Sequence, residues 1–383
     1  MIELSAAGLK VENATTERII ARVTRNTELP PPLRHRHFLL VPSSTCAPIP
    51  PGFAGYGAFN GPSSTSHQNF VRLPDALAYL DEGDILRLSP DAGQLRVMYR
   101  KNSRSNNFLL TERCNSFCLM CSQPPRDIDD SYIVDQIKEC IPLIDPGTTE
   151  IGFTGGEPTL LGDSFTYLVK LFKNKLPHTA LHILTNGRNF KSRALAESLG
   201  SIRHPDLMLG IPLYSDISSI HDFVVQADGA YDETIRGILN LKAAGVRVEV
   251  RVVIHQQTYQ RLPELARFIT RNLTFVDHVA LMGLEITGFT KANLEALWVD
   301  PWDYRQQLSE AAQTLDRFGI RTSIYNLPLC LVPESVQRFS VKSISDWKNE
   351  YMPECEGCTR VHECGGFFSS AKVRQSAKIK AFN

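Results

Sequence analysis

From about residue 104 the chain alternates short apolar runs with longer segments in which apolar residues recur at helical spacing. The runs fall at 108–111, 150–154, 180–184, 207–213, 246–254 and 278–284, and helical patterns occupy 130–143, 160–172, 192–199, 231–244, 262–271 and 301–318. Six βα units of this regularity predict an α/β fold, a partial (β/α)6 barrel whose strands read as near-continuous apolar runs such as VRVEVRVVI. Residues 1–103 have a different pattern and predict a β-rich N-terminal domain. RIIARVTR and HFLLVP read as strands, and ILRLSP with QLRVMYR reads as a hairpin turning at Asp91-Ala92-Gly93. The stretch 47–66, rich in Pro, Gly and Ser, predicts a long loop, and the basic segment from Ala371 a solvated end. The expected domains are therefore 1–103, a barrel over 104–300 and a small C-terminal domain over 301–383.

Composition narrows the partners. With 41 Lys plus Arg against 41 Asp plus Glu among 383 residues, no net charge draws the chain to nucleic acid or to an anionic membrane surface. The first residues lack a secretory apolar core, and no stretch approaches the ~20 apolar residues of a membrane helix. These features predict a cytoplasmic location, where clustered cysteines bind metal or do redox chemistry more often than they form disulfides.

The nine cysteines are unevenly spaced. Cys114, Cys118 and Cys121 form Cys-x3-Cys-x2-Cys, and Cys355, Cys358 and Cys364 form Cys-x2-Cys-x5-Cys, with Cys330 upstream of them. The second group, with Cys330, supplies enough thiolates for a closed zinc site. The first supplies three thiolates in a compact loop, which on a four-iron cube leaves one iron open to a small ligand. Cys140, on the apolar side of a helical pattern, and Cys46 read as small structural residues.

In a βα barrel ligands gather at the C-terminal ends of the strands. There the chain places Cys114 to Cys121, then Gly155-Gly156-Glu157-Pro158, Thr185-Asn186-Gly187, Tyr214-Ser215, His255 and Glu285. Three cysteines in this spacing, followed by Gly-Gly-Glu-Pro in such a barrel, resemble the signature of the radical S-adenosylmethionine (SAM) superfamily, and the likeness covers residues 104–290. The resemblance implies that Cys114, Cys118 and Cys121 ligate a [4Fe–4S] cluster whose fourth iron is chelated by SAM. The pair would generate a 5′-deoxyadenosyl radical that abstracts hydrogen from an unactivated C–H bond. It further implies that Gly155 and Gly156 let the backbone approach SAM and that Glu157 accepts a hydrogen bond from the methionyl ammonium. Asn186 and Ser215 are expected against the ribose or carboxylate. Arg251 is either a carboxylate partner or one half of an ion pair within the barrel. Met120 stands where that family commonly has an aromatic residue near the adenine, and its thioether is expected to fill the space.

Cys330, Cys355, Cys358 and Cys364 are similar in arrangement to the auxiliary-cluster extensions called SPASM or twitch domains, and imply a second [4Fe–4S] cluster that takes an electron from a product radical. The runs LLTERCNSFCLMCSQPPR, GFTGGEPTLLG, SIYNLPLC, SISDWK and CEGC…ECGGFF resemble the His-Xaa-Ser system radical SAM maturases of the HxsC type. That resemblance implies an oxidative crosslink in a precursor peptide with His-Xaa-Ser repeats, and a second maturase of the HxsB type as partner. Glu285, Tyr214 and His255, with Trp298, are the candidates to position substrate or move protons, and the N-terminal domain to dock peptide or partner. Two other functions fit the motifs: radical chemistry on a small-molecule cofactor precursor, and a non-catalytic iron–sulfur or zinc scaffold.

Overall fold

The computed structural model describes residues 3–41, 48–59, 66–342 and 350–383. The chain divides into two compact units that are discontinuous in sequence: residues 1–108, 132–151 and 171–179, and residues 109–131, 152–170 and 180–383.

The first unit carries an eight-stranded sheet of β1 (Ser5–Ala6), β2 (Val11–Glu12), β3 (Ile19–Thr24), β4 (His37–Leu40), β5 (Gly55–Ala58), β6 (Phe70–Arg72), β7 (Ile85–Ser89) and β8 (Gln94–Tyr99). Their order is β1-β8-β7-β3-β4-β5-β6-β2. The expected hairpin is β7 with β8, antiparallel from Ile85↔Tyr99 to Ser89↔Gln94. The expected loop over 47–66 contains β5 instead, paired parallel to both β4 and β6. Its sequence, Gly-Tyr-Gly-Ala, is a strand because of what lies on it. A Cβ on Gly57 would stand 2.6 Å from the Phe38 ring and one on Gly55 2.9 Å from it, so the bare face receives a fully buried aromatic. Helix Ser131–Cys140 belongs to this unit: Arg87 donates to Gln136 Oε1 at 3.2 Å, and Cys140 is buried on its inner face. Cys46 lies outside the described residues.

The second sheet has seven strands in sequence order: β9 (Asn106–Leu109), β10 (Glu150–Thr154), β11 (Ala180–Leu184), β12 (Leu207–Pro212), β13 (Arg247–Ile254), β14 (His278–Gly283) and β15 (Thr322–Tyr325). From β11 to β15 each neighbour is parallel. Helices between the strands include Arg193–Ser201, Ala230–Ala243, Leu262–Asn272 and Arg305–Arg317. Leu262, Leu265, Ala266 and Ile269 form the buried stripe of the third of these, at the spacing an amphipathic helix requires. This is the α/β class expected, with a parallel sheet and an added β-rich region.

Three details depart from expectation. A seventh strand, β15, adds to the six, too short and too mixed in composition to be read from Thr-Ser-Ile-Tyr alone. β13 is an alternation: Val248, Val250 and Val252 are buried on one face, and Arg247, Glu249 and Arg251 share the other. The segment from Ala371 is no free solvated end, since Phe382 O accepts the Thr359 backbone N–H at 2.9 Å and its hydroxyl at 3.1 Å.

Candidate active site

The cysteine loop follows β9 and is tied at its root by Asp130. This fully buried carboxylate accepts the Thr111 hydroxyl at 2.7 Å and the Glu112 backbone N–H at 2.6 Å, and pairs with Arg113 at 3.4 Å. Neighbouring segments then hold the loop backbone. Phe117 N–H donates to Val225 O at 3.1 Å and Leu119 N–H to Val224 O at 3.0 Å, both at the end of helix Ser218–Val225. Phe289 N–H donates to Cys121 O at 2.8 Å, and the Asn293 side chain to Leu119 O at 2.9 Å. Arg188 donates to Asn115 O and to Ser116 Oγ while its Nε pairs with Glu233 at 2.7 Å. A loop of this length without regular structure keeps one shape because its polar backbone groups are satisfied from outside.

The Gly-Gly-Glu turn after β10 packs against the cysteine loop. A Cβ on Gly155 (φ +144°) would lie 2.5 Å from Thr111 O, and one on Gly156 2.1 Å from Arg113 O. The glycines thus let this turn pack on the cysteine loop, where Gly156 N–H donates to Thr111 O and Glu157 N–H to Arg113 O, each at 2.8 Å. Glu157 is fully buried and turned into the protein. Its Oε1 accepts from Thr159 N–H (3.0 Å), Thr159 Oγ1 (2.5 Å) and Thr185 Oγ1 (2.7 Å), and its Oε2 from Asn186 N–H (2.7 Å). Burial raises its pKa above the ordinary value against these donors. It braces the turns after β10 and β11 from within.

The remaining expected contacts are also engaged by protein. Asn186 Nδ2 donates to Asn115 Oδ1 at 2.6 Å, joining its turn to the cysteine loop. Ser215 is buried, its Oγ accepting Ile217 N–H at 3.1 Å within its own turn. Arg251 is an ion-pair member: Nη1 meets Glu249 Oε1 at 2.6 Å, and Nη2 meets the Met282 sulfur at 3.2 Å. Met120 is buried in an apolar cluster with Tyr214, Val224 and Leu297, against which Cys118 and Leu119 pack.

Tyr214 is buried, and the charges of Cys118 and Cys121 act on it, so it stands beside the thiols. Its ring centroid lies 6.1 Å from that of His255 and 5.8 Å from that of His221. His255 is fully buried with no hydrogen-bond partner on either ring nitrogen, and burial lowers its pKa to about 4. Glu285 and Trp298 line a cleft at the ends of β13, β14 and β15. Its far wall is formed by Phe367, Phe368 and Arg374, the last of which lies 4.6 Å over the Trp298 ring and pairs with Glu295 at 2.9 Å.

The sequence reading missed the charge network on the inner face of the sheet. Glu249 accepts His278 Nδ1 at 2.6 Å and Arg251 at 2.6 Å, with His182 Nε2 at 3.5 Å, and His278 Nε2 meets Ser323 Oγ at 2.9 Å. Burial opposes the charge on Glu249, yet these partners hold its pKa well below the ordinary range. The signal was available: charged residues two apart within VRVEVRV.

The two thiol groups fit iron–sulfur ligation by their donor chemistry. Burial first, and then the charges of neighbours that include Glu157 and Cys121 for Cys114 and the two other cysteines for Cys118, push Cys114 up to about 11 and Cys118 up to about 12. Cys330 and Cys355 are likewise raised by burial and then by their neighbours, Cys364 among them. Sulfurs gathered so that their thiolates repel are a donor set that a bound cation relieves. Among the described residues no three His, Cys, Asp or Glu side chains are placed to hold a single metal ion. A cube takes each thiolate on a separate iron, so its ligands stand further apart than those of one tetrahedral ion.

Residues 108–269 match the family model described as Radical SAM superfamily. Among curated proteins, the Fe-coproporphyrin III synthase of Methanosarcina barkeri is 26% identical over 193 residues, covering 49% of this chain and 47% of that protein. The antilisterial bacteriocin subtilosin biosynthesis protein AlbA of Bacillus subtilis is 27% identical over 165 residues, covering 42% and 35%. The chain thus spans less than half the length of these relatives. Among solved structures, anSMEcpe with bound AdoMet and a peptide aligns over 72% of this chain and 91% of its own with TM-score 0.50 at 16% identity, a likeness of fold. Among the described residues no helix is long and apolar enough to cross a membrane. Cys114, Cys118 and Cys121 in their spacing, and Gly155 and Gly156 packed onto their loop, all lie within residues 108–269, the part of the chain that matches the radical SAM superfamily model.

Proposed function

We propose that the protein is a cytoplasmic radical SAM maturase that forms an oxidative crosslink in a ribosomally made peptide of the His-Xaa-Ser type. In this reading Cys114, Cys118 and Cys121 hold the SAM-binding [4Fe–4S] cluster, and Cys330, Cys355, Cys358 and Cys364 hold a second within an auxiliary domain over 301–383. The bound cluster and SAM supply the 5′-deoxyadenosyl radical that takes a hydrogen atom from the substrate. Gly155, Gly156 and Glu157 set the shape of the cysteine loop. Glu285 and Trp298 contact substrate in the cleft, while Tyr214 and His255 form the dry wall beside the cysteines. Residues 1–103 dock the precursor or a second maturase of the HxsB type.

The observation that carries the peptide over a small cofactor precursor is the wall of the cleft. The M. barkeri relative is named for a tetrapyrrole, whose several carboxylates require several cations. The described lining holds Arg374 as its one Lys or Arg, already paired with Glu295. Its other walls, Ile254, Leu284, Trp298, Leu327 and Phe367, suit the side chains and neutral backbone of a peptide.

The test is anaerobic incubation of the reconstituted, reduced protein with SAM and a His-Xaa-Ser peptide, followed by mass spectrometry. The expected result is 5′-deoxyadenosine together with a peptide lighter by two hydrogens, both abolished by Cys114→Ala. Deoxyadenosine formed only with a tetrapyrrole or another small molecule overturns the peptide reading. Zinc in place of iron overturns the radical one and leaves a scaffold.

A further inference from the structure

The second thiol group has a feature that its four cysteines do not explain. Two of its sulfurs are approached by residues far along the chain. Phe382 N–H donates to Cys358 Sγ at 3.4 Å, and the Lys380 backbone works against burial to lower the pKa of Cys330. Closer in sequence, Leu329 N–H donates to Cys364 Sγ at 3.2 Å and Gly366 N–H to the same sulfur at 3.4 Å. The segment that brings Lys380 and Phe382 has no helix or strand of its own. It is fastened at one point, where Phe382 O accepts both Thr359 N–H and Thr359 Oγ1, and where the Arg360 guanidinium lies 5.0 Å over the Phe382 ring. Arg360 is itself held by Glu363 at 2.7 Å and Gln337 at 2.6 Å, so the clasp is anchored between Cys358 and Cys364.

A backbone N–H aimed at a sulfur has little use for a neutral thiol, which accepts weakly, and much for a thiolate or a cluster sulfur that carries negative charge. Residues 380–382 belong to no helix or strand, yet the Phe382 N–H ends on the Cys358 sulfur and the Lys380 backbone acts on Cys330.

We propose that residues 380–382 form a strap that is part of the second metal centre, donating N–H···S hydrogen bonds to Cys330 and Cys358 and thereby setting the reduction potential of the cluster those thiolates hold. The proposal rests on the reading of Cys330, Cys355, Cys358 and Cys364 as ligands of a second [4Fe–4S] cluster. Reduction adds one electron to the cluster and makes its sulfurs more negative. The donors therefore favour the reduced state, and removing one shifts the midpoint potential to more negative values. The strap matches the second cluster to its role as acceptor of the electron that leaves the substrate radical on bond formation.

The test removes a donor and keeps the side-chain clasp as a control. In a Cys114→Ala, Cys118→Ala, Cys121→Ala background any remaining cluster is the second one, and its midpoint is read by electron paramagnetic resonance during a redox titration. Phe382→Pro deletes the N–H at that position, whereas Phe382→Leu keeps it and removes the ring. The expected result is a more negative midpoint for Phe382→Pro and for Lys380→Pro, with Phe382→Leu close to the parent. In the full-cysteine protein the same proline variants leave the midpoint of the first cluster unmoved, which guards against general misfolding. Loss of the second cluster with retention of the first also supports the strap. Equal midpoints and equal iron in all variants overturn it. A triple-alanine protein that binds no iron overturns instead the reading on which the proposal rests.

Discussion

The carboxyl group of Glu157 accepts the backbone N–H of Asn186 at 2.7 Å, so one buried side chain joins the turn after β10 to the turn after β11 directly behind the cysteine loop. Asn186 in turn reaches Asn115 with its side chain. Glu157→Gln is the sharpest probe of this brace, because an amide cannot present oxygen to donors on both sides. Its NH2 must face Asn186 N–H or the cluster of Thr159 and Thr185 donors. Leaving such a donor unsatisfied costs about 2 kcal/mol. Denaturant unfolding is expected to show that loss, and iron analysis a fall at the first cysteine group only. An unchanged midpoint of unfolding would mean that the four hydrogen bonds do not brace the site.

The two motif glycines make a prediction that separates close packing from backbone conformation. Gly156→Ala places a methyl carbon 2.1 Å from Arg113 O and 3.1 Å from the Cys114 Cβ, so the cysteine loop must move. Gly229, at φ +73°, has nothing within 4 Å of an added Cβ, and its substitution by Ala carries only the left-handed backbone penalty of about 1 kcal/mol. Iron at the first site is expected to fall by half or more in Gly156→Ala and to stay at the parental level in Gly229→Ala. Equal iron in the two would remove the packing argument.

Much of this site was legible because its signals are local. The spacing of Cys114, Cys118 and Cys121 and the pair Gly155-Gly156 declare themselves without any knowledge of neighbours. What was not legible depends on residues distant in sequence. Gly55 to Ala58 is a strand because Phe38 lies on its glycines, and Glu157 faces inward because Thr185 and Asn186 offer donors there. Glu249 and Arg251 were absorbed into an apolar run because the valines between them dominate its average. Phe382 looked like a free end since its partners, Cys358 and Thr359, lie more than twenty positions upstream.

Stability should depend on pH through two buried histidines. Burial lowers His221 and His255 each from 6.5 to about 4, and His221 needs its neutral Nδ1 to accept the Tyr214 backbone N–H at 3.2 Å. Both folded values lie below the unfolded one. Between 6.5 and about 4 the unfolded chain therefore binds more protons, stability falls as the pH is lowered, and the loss levels off beneath that window. Each ring accounts for up to about 3 kcal/mol. Melting temperatures across this range are expected to decline less steeply in His255→Leu, which removes a ring with no partner on either nitrogen. A slope identical to the parent's would show that His255 is solvated and protonates freely.

The network on Glu249 gives the last prediction, and it turns on the difference between removing one charge and removing two. Glu249 meets Arg251 at 2.6 Å and His278 at 2.6 Å, with little of either carboxylate or guanidinium exposed. Glu249→Gln leaves the Arg251 charge partly buried without its counter-ion, and breaking such a pair from one side costs about 3 kcal/mol or more. Arg251→Met strands the carboxylate in the same way, although His278 and His182 still share its charge, so the loss should be smaller. The double variant removes both desolvated charges and is expected to be more stable than the sum of the single losses allows, with a coupling of about 1–3 kcal/mol. Unfolding of the four proteins in denaturant measures this directly. A coupling near zero would mean that the inner face is wet enough to screen the pair, and Arg251 would then be available to a ligand in the way the sequence alone suggests.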